Sequence, residues 1–258
     1  MHSTVSLILP VFKADPWLPQ CLESIKSQSY KDLQLIVVDD PQGSGAAVSR
    51  NRGLDRASGE LIMFVDADDW LEPEAIQNLV NGIEGVDMVA GSFRKTGLFT
   101  MDVKHPTEKL SIGQVAEYAM ENLLNPRDNQ MLSGCWAKMF RRELVGRFPL
   151  LTTAEDMAFN FDYLRLCKSV RFIQDIVYHN RKREGSLSNN FDENNKPGLF
   201  GFLEGLEYVE RFLHPHFTED EIRKGIDNSK VYHSMLYFMR ICKQTNLPMN
   251  DVFKKLYP

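Results

Sequence analysis

Three short apolar segments, each followed by a polar or turn-forming residue, constrain the fold of this chain more than any other feature. They lie at residues 5–9, 33–38 and 61–65, and segments with a helical spacing of apolar residues separate them. Strands that are apolar throughout and alternate with helices are typical of a parallel sheet covered on both faces. The sequence therefore predicts an α/β fold with a mostly parallel central sheet and helices on both of its faces.

The residues that follow these segments are candidates for a binding site. Pro10 follows the first segment, Asp39 and Asp40 follow the second, and Asp66 follows the third. Ligands of such sheets bind outside the carboxyl ends of the strands. We therefore expect these residues to meet at one edge of the sheet.

The segment that begins at Asp66 is a candidate metal site. If the chain stays extended after the strand, Asp66 and Asp68 project to the same side. Two carboxylates suit Mg²⁺ or Mn²⁺ bridging to a diphosphate. The alternative is an acidic turn in which an aspartate caps the next helix. The acids at Asp39 and Asp40 favour the metal, because clustered carboxylates repel one another unless a cation or substrate lies among them.

Two polar segments in the second half of the chain each allow two interpretations. Glu155 and Asp156 precede a predicted helix, where they either complement its dipole or supply Asp156 as a base for a sugar hydroxyl. A basic segment with His179, Arg181 and Arg183 follows a predicted strand. It either binds phosphate or forms a solvated surface.

Composition excludes some classes of function. The net charge of −5 over 258 residues argues against a nucleic-acid-binding protein. The four cysteines are scattered and form no Cys-x-x-Cys pair, which favours a reducing, cytoplasmic setting. The sequence shows neither a signal peptide nor an apolar run of about 20 residues, the length that spans a bilayer.

In their order along the chain, the segments resemble those of glycosyltransferase family 2, the inverting enzymes of the GT-A fold. The matching segments read SLILPVF, CLESIKSQ, LIVVDD, SRNRGL, ASGELIMFVDADDWLEP, WAKMF and YHNRKREGSLS, together with Phe148 and Glu155-Asp156. Each motif alone is weak, but the ordered set covers Val5 to about Ser188 and is specific. The resemblance implies an enzyme of the type that builds bacterial polysaccharides or lipopolysaccharides.

The resemblance also implies roles on the donor side. Pro10, Phe12 and Asp39 would contact the nucleotide. Asp66 would lie near the ribose and the metal, and Asp68 would ligate Mn²⁺ or Mg²⁺. The residues near the diphosphate, or in a mobile loop over it, would be His179, Arg181 and Arg183.

On the acceptor side, Asp156 would be the general base. Glu155, Trp136 and Lys138 would line the acceptor. The implied reaction moves a sugar, with inversion, from a nucleotide-diphosphate sugar to a hydroxyl of a glycan or lipid-linked glycan. The expected donor is a UDP-sugar, and the expected activity is that of a hexosyl- or N-acetylhexosaminyltransferase.

One departure from the family pattern affects the predicted fold. Only residues 41–49 separate Asp40 from Arg50, where family members usually have an extra helix and strand. This predicts a sheet that is shortened on the nucleotide side. We expect residues 1–190 to form the GT-A domain and residues 191–258 to form a C-terminal helical extension.

Two alternatives to the transferase remain open. A metal-dependent nucleotidyltransferase also uses paired acids at a parallel sheet edge, and a non-catalytic glycosyltransferase-like subunit would fit the shortened nucleotide side. The expected location is cytoplasmic. Aromatic and methionine residues near basic residues in the C-terminal helices add an expectation of peripheral contact with the inner membrane.

Overall fold

Within the described residues, nine strands form one sheet, and helices cover both of its faces. The computed structural model describes residues 3–12, 16–97, 99–105, 107–126, 132, 134–151, 153–182 and 197–245. The strands are β1 Val5–Val11, β2 Leu33–Asp39, β3 Leu61–Phe64, β4 Trp70–Leu71, β5 Met88–Thr96, β6 Met101–Val103, β7 Glu108–Ser111, β8 Lys138–Arg141 and β9 Ser169–Arg181. The helices are α1 Leu18–Lys26, α2 Ala46–Leu54, α3 Ala75–Gly82, α4 Ile112–Leu124, the 3₁₀ helix Arg142–Leu144, α5 Glu155–Leu164, α6 Pro197–Leu213 and α7 Glu219–Thr245.

The strand order is β2-β1-β3-β8-β5-β9-β4, with β6 beside β5 and β7 beside β9. β1 is parallel to both β2 and β3, and β5 is parallel to β9. β8 is antiparallel to both β3 and β5, so β5 and β9 run in the same direction as β1, β2 and β3. The predicted α/β fold with a mostly parallel central sheet is therefore confirmed.

The sheet ends at β2 on the nucleotide side. Among the described residues, β2 pairs only with β1, and Leu35 and Val37 on its outer part are 37% and 38% exposed. Apolar side chains at this exposure do not lie beneath a further layer. The shortened sheet expected from the brief 41–49 connection is what the structure shows.

The segment that begins at Gly91 continues β5, although its residues are more polar than those of β1 to β3. Gly91 lies so close to β9 that a Cβ atom there would be 2.4 Å from Cγ2 of Val177. Polar residues such as Ser92 interrupt the apolar pattern, yet Ser92 is buried and its hydroxyl donates to the carbonyl of Ile173 at 3.1 Å. Pairing with β9 overrides the local pattern.

The core consists of two apolar layers, one on each face of the sheet. Helices α1 and α3 cover one layer, and α4 to α7 pack over the other. α6 buries Leu206, Val209 and Phe212 in that second layer. The expected domain boundary at residue 190 lies outside the described residues. Within the part of the chain that the structure describes, no helix is long and apolar enough to cross a membrane.

Candidate active site

The carboxyl ends of β1, β2 and β3 form one edge of the sheet, and the polar residues predicted for the site lie there. The register pairs Val11 with Asp39 and Ile8 with Phe64. The backbone amide of Asp40 donates to the carbonyl of Val11 at 2.8 Å, which extends the ladder beyond β2. The expected meeting of these strand ends at one edge is therefore observed.

Arg50 joins this edge to the two acids of α5. Its NH2 nitrogen lies 2.9 Å from Oδ1 of Asp66. Its NH1 nitrogen lies 2.7 Å from Oδ1 of Asp156 and 3.1 Å from Oε1 of Glu155. Arg50 is only 4% exposed, so this guanidinium is the buried counter-ion of three carboxylates from two segments that are far apart in sequence.

Helix α2 places Arg50 through its neighbours. Asn51 donates to the carbonyl of Phe148 at 2.9 Å and accepts from the amide of Phe148 at the same distance. Gly53 faces β1, where a Cβ atom would lie 2.4 Å from Cγ2 of Ile8. These contacts hold α2 against β1 and against the segment before α5. Arg50 lies within the SRNRGL segment, but its role could not be predicted from the sequence, because Glu155 and Asp156 are distant from it along the chain.

The two acids of α5 have perturbed protonation. Burial, and next the charge of Asp156, raise the pKa of Glu155 to about 7, although Arg50 acts in the opposite direction. Burial also raises the pKa of Asp156, again against the effect of Arg50. A carboxylate whose pKa is raised toward neutrality is a better proton acceptor at physiological pH.

The start of α5 has a strained backbone. Ala154 precedes the two acids with φ of 62°, in the left-handed region that costs a non-glycine residue about 1–2 kcal/mol. α6 packs directly behind this turn, since a Cβ atom on Gly205 would lie 2.7 Å from Cε of Met157 and 3.1 Å from Cβ of Ala154. Strained backbone conformations persist where the surrounding packing imposes them, and often at functional sites.

Asp69, the last acid after β3, turns inward. Its carboxylate accepts hydrogen bonds from the hydroxyl of Tyr178 at 2.8 Å, the side-chain amide of Asn180 at 3.2 Å and the backbone amide of Arg181 at 2.7 Å. Burial, and next the charge of Asp66, raise the pKa of Asp69 well above its usual range. Asp69 therefore anchors the end of β9.

Asp66 and Asp68 remain partly exposed beside the buried Asp69. Among the described residues, no group of three or more His, Cys, Asp or Glu side chains is arranged to hold a metal by itself. Two carboxylates fit a cation such as Mg²⁺ or Mn²⁺ that takes its remaining ligands from phosphate and water. The donor set thus fits a metal that is shared with a diphosphate.

The end of β9 lies against the turn that follows β3. The ring of His179 stacks on Trp70 at 4.5 Å, and its Nε2 lies 2.7 Å from Oε1 of Glu72. The guanidinium of Arg181 lies 4.6 Å from the centre of the Trp70 ring, and its Nε donates to the carbonyl of Asp68 at 2.9 Å. His179 and Arg181 are therefore beside the acids expected to hold the metal. Arg183 lies outside the described residues.

Trp136 and Lys138, expected on the acceptor side, differ in exposure. Trp136 is half-buried and stacks on Tyr178, with ring centres 5.1 Å apart. Lys138 is 2% exposed, and its Nζ donates to the carbonyl of Gly134 at 2.5 Å. Burial lowers the pKa of Lys138 to about 8. In this structure Lys138 stabilises the turn that carries Trp136, and its contact with an acceptor stays a prediction.

The nucleotide side has an exposed ring above a glycine turn. Phe12 is 49% exposed, and a Cβ atom on Gly43 would lie 2.7 Å from its Cε2. Gly43 has φ of +70°, which also favours glycine. Asp39 is exposed beside this turn, whereas Asp40 is buried.

Asp40 organises the turn from within. It accepts hydrogen bonds from the hydroxyls of Ser44 at 2.9 Å and Ser49 at 3.1 Å and from the amide of Gly45 at 3.3 Å. Burial would raise the pKa of Asp40, but these hydrogen bonds together lower it. This structural role of Asp40, like that of Arg50, was not predicted from the sequence. The serines that follow Asp40, Ser44 and Ser49, could have indicated it, because serine hydroxyls often donate to a nearby carboxylate.

Comparison with known families and proteins agrees with this geometry. A family model described as glycosyl transferase family 2 matches residues 6–44 and 40–147. EpsH of Bacillus subtilis, described as a putative glycosyltransferase, is 25% identical over 98% of this chain and 80% of its own length. TarP of Staphylococcus aureus, a poly(ribitol-phosphate) β-N-acetylglucosaminyltransferase, is 25% identical over 88% of this chain and 73% of its own length.

Solved structures show the same fold. The crystal structure of S. aureus TarS 1-349 in complex with UDP-GlcNAc matches with a TM-score of 0.64 and 17% identity, over 83% of this chain and 71% of that one. The mannosyltransferase PcManGT of Pyrobaculum calidifontis, in complex with GDP-Man and Mn²⁺, matches with a TM-score of 0.56 and 15% identity, over 98% of this chain and 79% of that one. The shared architecture is the GT-A fold.

Proposed function

This chain belongs to glycosyltransferase family 2 and is a glycosyltransferase, and from that premise we propose that it transfers a sugar with inversion from a nucleotide-diphosphate sugar to a hydroxyl group. The acceptor is a glycan or lipid-linked glycan, and the reaction belongs to polysaccharide biosynthesis in the cytoplasm. Residues 1–190 carry the reaction, and residues 191–258 extend this domain.

One observation carries this proposal. A single buried guanidinium contacts Asp66 of the donor-side edge and Asp156 of the acceptor-side helix, so the two motifs face one cleft. In an inverting transfer, the base and the leaving diphosphate lie on opposite sides of the anomeric carbon. Asp66 and Asp156 come from two separate elements and bind different nitrogens of one guanidinium, and this arrangement suits that geometry.

Asp156 acts as the base. It takes the proton of the acceptor hydroxyl as that oxygen forms a bond to the anomeric carbon, and the bond from this carbon to the diphosphate breaks in the same step. The raised pKa of Asp156 suits this role, because a base near the working pH accepts a proton with less penalty. Positioning of donor and acceptor supplies much of the rest of the rate.

The donor is a UDP-sugar, and N-acetylglucosamine is the first sugar to test. Similarity to TarP and TarS supports this choice, since TarP is described as an N-acetylglucosaminyltransferase and the TarS structure holds UDP-GlcNAc. Phe12 and Pro10 would contact the nucleotide, with Asp39 facing its base. The exposed Phe12 ring offers a flat apolar surface of the kind on which a base can stack.

Asp66 and Asp68 would hold a divalent cation together with the donor. When bound, the cation would offset the negative charge that grows on the leaving diphosphate. His179 and Arg181 lie beside these acids and would contact the diphosphate from the β9 side. Arg181 also holds the backbone of Asp68, so it contributes to the shape of the metal-binding turn.

Replacement of the base tests the proposal. We expect Asp156→Asn to retain UDP-N-acetylglucosamine binding in calorimetry and to lose transfer by at least about 10²-fold, at the lower end of the range for general bases. Asp162→Asn is the matched control, because Asp162 is on the same helix and is exposed at the surface. Full activity of Asp156→Asn would remove the base assignment.

We also propose that α7 contacts a membrane surface near a lipid-linked acceptor. Val231, Met235 and Met239 recur every fourth residue, so they share one helix face, and each is about 60% exposed. Exposed methionine and aliphatic side chains on one helix face suit insertion among lipid headgroups.

A further inference from the structure

Neither the proton transfer nor the donor contacts involve Arg50 directly, although it contacts Asp66, Glu155 and Asp156. Its planar guanidinium presents two nitrogens in a rigid fork, and each nitrogen holds a different element. NH2 holds Asp66 at the end of β3, and NH1 holds Asp156 and Glu155 at the start of α5. A displacement of either element therefore disturbs the other through one rigid group.

We propose that Arg50 is a positioning residue that couples the donor side to the acceptor side by holding Asp66 and Asp156 at a set separation. The inference rests on the proposed function and extends it. Arg50 does not itself accept or donate the transferred proton. It acts through the two carboxylates that it holds.

Burial makes this coupling strong. Arg50 is 4% exposed, its guanidinium lies 5.3 Å from the centre of the Phe148 ring, and the side chains of its partner acids are 18–29% exposed, so water screens these ion pairs only in part. Among the described residues, its Nε has no hydrogen-bond partner. A buried donor without a hydrogen-bond partner costs free energy on folding. The three ion pairs of Arg50 must offset that cost. The neighbouring Asn51 binds the backbone of Phe148 through both its side-chain nitrogen and its side-chain oxygen.

Charge balance around Arg50 is unequal. Three carboxylates face one guanidinium, so the cluster has an excess of negative charge when every acid is ionised. Burial raises the pKa of both α5 acids, the charge of Asp156 raises that of Glu155 further, the charge of Asp66 raises that of Asp156 further, and Arg50 lowers both. The other ionisable groups near the cluster are Cys135, before β8, and the buried Lys138 on β8. Loss of the Arg50 charge should therefore favour the protonated, inactive base.

Two substitutions separate the charge of Arg50 from its shape. Arg50→Gln removes the charge, and Arg50→Lys keeps the charge but offers a single ammonium that cannot hold both sides. The control is Arg165→Gln, since Arg165 lies at the end of α5 and is exposed. The measurement is kcat at saturating UDP-N-acetylglucosamine between pH 6 and 9.

For Arg50→Gln we expect kcat to fall at least about tenfold at pH 7, with a smaller loss at pH 9. One unit of increase in the pKa of the base lowers its ionised fraction about tenfold below that pKa. For Arg50→Lys we expect kcat to fall at every pH. The acid limb of the plot of kcat against pH should stay near its original position. Adding Glu155→Gln to Arg50→Gln removes one competing negative charge and should move the acid limb back.

A loss by the same factor at every pH in Arg50→Gln, or full activity in Arg50→Lys, would overturn the proposal. A second measurement needs no donor. Carboxylates with raised pKa in the folded state cost stability as the pH rises through that pKa. The unfolding midpoint of Arg50→Gln, compared with the unaltered chain, should therefore fall further at pH 8 than at pH 6. A difference that does not change with pH would remove the charge argument even if no tested donor supports transfer.

Discussion

Adjacent acids in this molecule have unrelated tasks. Asp69 is buried and binds Tyr178, Asn180 and the backbone of β9, whereas Asp68 remains partly exposed at the same turn. The carbonyl of Asp68 accepts from Nε of Arg181, so the backbone of this residue is held by the end of β9. The chain does not stay extended here, because the amide of Asp69 donates to the carbonyl of Asp66 at 3.1 Å and closes a turn. The extended path assumed after β3 is therefore wrong, and the turn gives the neighbouring acids different surroundings.

At this scale we expect Asp68→Ala to abolish metal-dependent donor binding. Calorimetry with UDP and Mn²⁺ should show a loss of affinity of at least about 10²-fold, comparable to the removal of one electrostatic stabiliser at an active site. Removal of Mn²⁺ by a chelator should reproduce the loss in the unaltered chain. Asp175→Ala, at an exposed position of β9, is the control. Unchanged binding in Asp68→Ala would remove its assignment as a metal ligand.

The sequence identified Asp66, Asp156 and His179 as candidates because each follows or precedes a recognisable strand or helix. It did not identify Arg50 as their link. A contact between residue 50 and residue 156 depends on the packing of α2 against β1 and the segment before α5, and local patterns contain no information about such distances. The burial of Lys138, the first residue of β8, also could not be predicted, since lysine is rarely fully buried.

Elements cooperate at the start of α5, where the backbone of Ala154 is strained and α6 packs behind it. Gly205 on α6 allows this close approach, because no side chain separates it from Met157 and Ala154. α6 thus buttresses the turn that carries Glu155 and Asp156. The position of the acids depends on a helix outside the predicted transferase domain.

We expect Gly205→Val to destabilise the protein by about 1–3 kcal/mol, the typical cost of overpacking. It should also lower kcat, because displacement of α6 moves the two acids of α5. Thermal unfolding and steady-state kinetics measure the two effects. Gly113→Val is the control, since a side chain at that helical position meets nothing within 4 Å. An unchanged kcat with reduced stability would contradict the support role of α6.

Element prediction from the sequence succeeded where an apolar run coincided with a strand, as in β1, β2 and β3. The apolar pattern does not indicate the strands between residues 91 and 111, where β5 continues and β6 and β7 follow. There the strands contain polar residues that are satisfied by distant partners, such as Ser92 with Ile173. A pattern that depends on tertiary pairing cannot be read from neighbouring residues alone.

For the whole molecule, the exposed face of α7 predicts reversible membrane association. We expect the unaltered chain to float with liposomes that contain anionic lipid, and the double substitution Met235→Gln with Met239→Gln to float less. Both side chains are exposed, so the substitutions should leave the folded core intact. Equal flotation of the two proteins would remove the membrane proposal.

The open border of the sheet at β2 has a consequence for how copies of this chain behave together. Among the residues that the structure describes, the outer edge of β2 pairs with no strand, and such an edge, here beside exposed Leu35 and Val37, is a template on which another extended segment can add. Arg56 covers part of this edge, because its guanidinium donates to the carbonyl of Val37 at 3.0 Å. The short connection from Asp40 to Arg50 therefore leaves, within the described part of the chain, an open sheet edge that favours self-association, and Arg56 occupies one of its carbonyl groups.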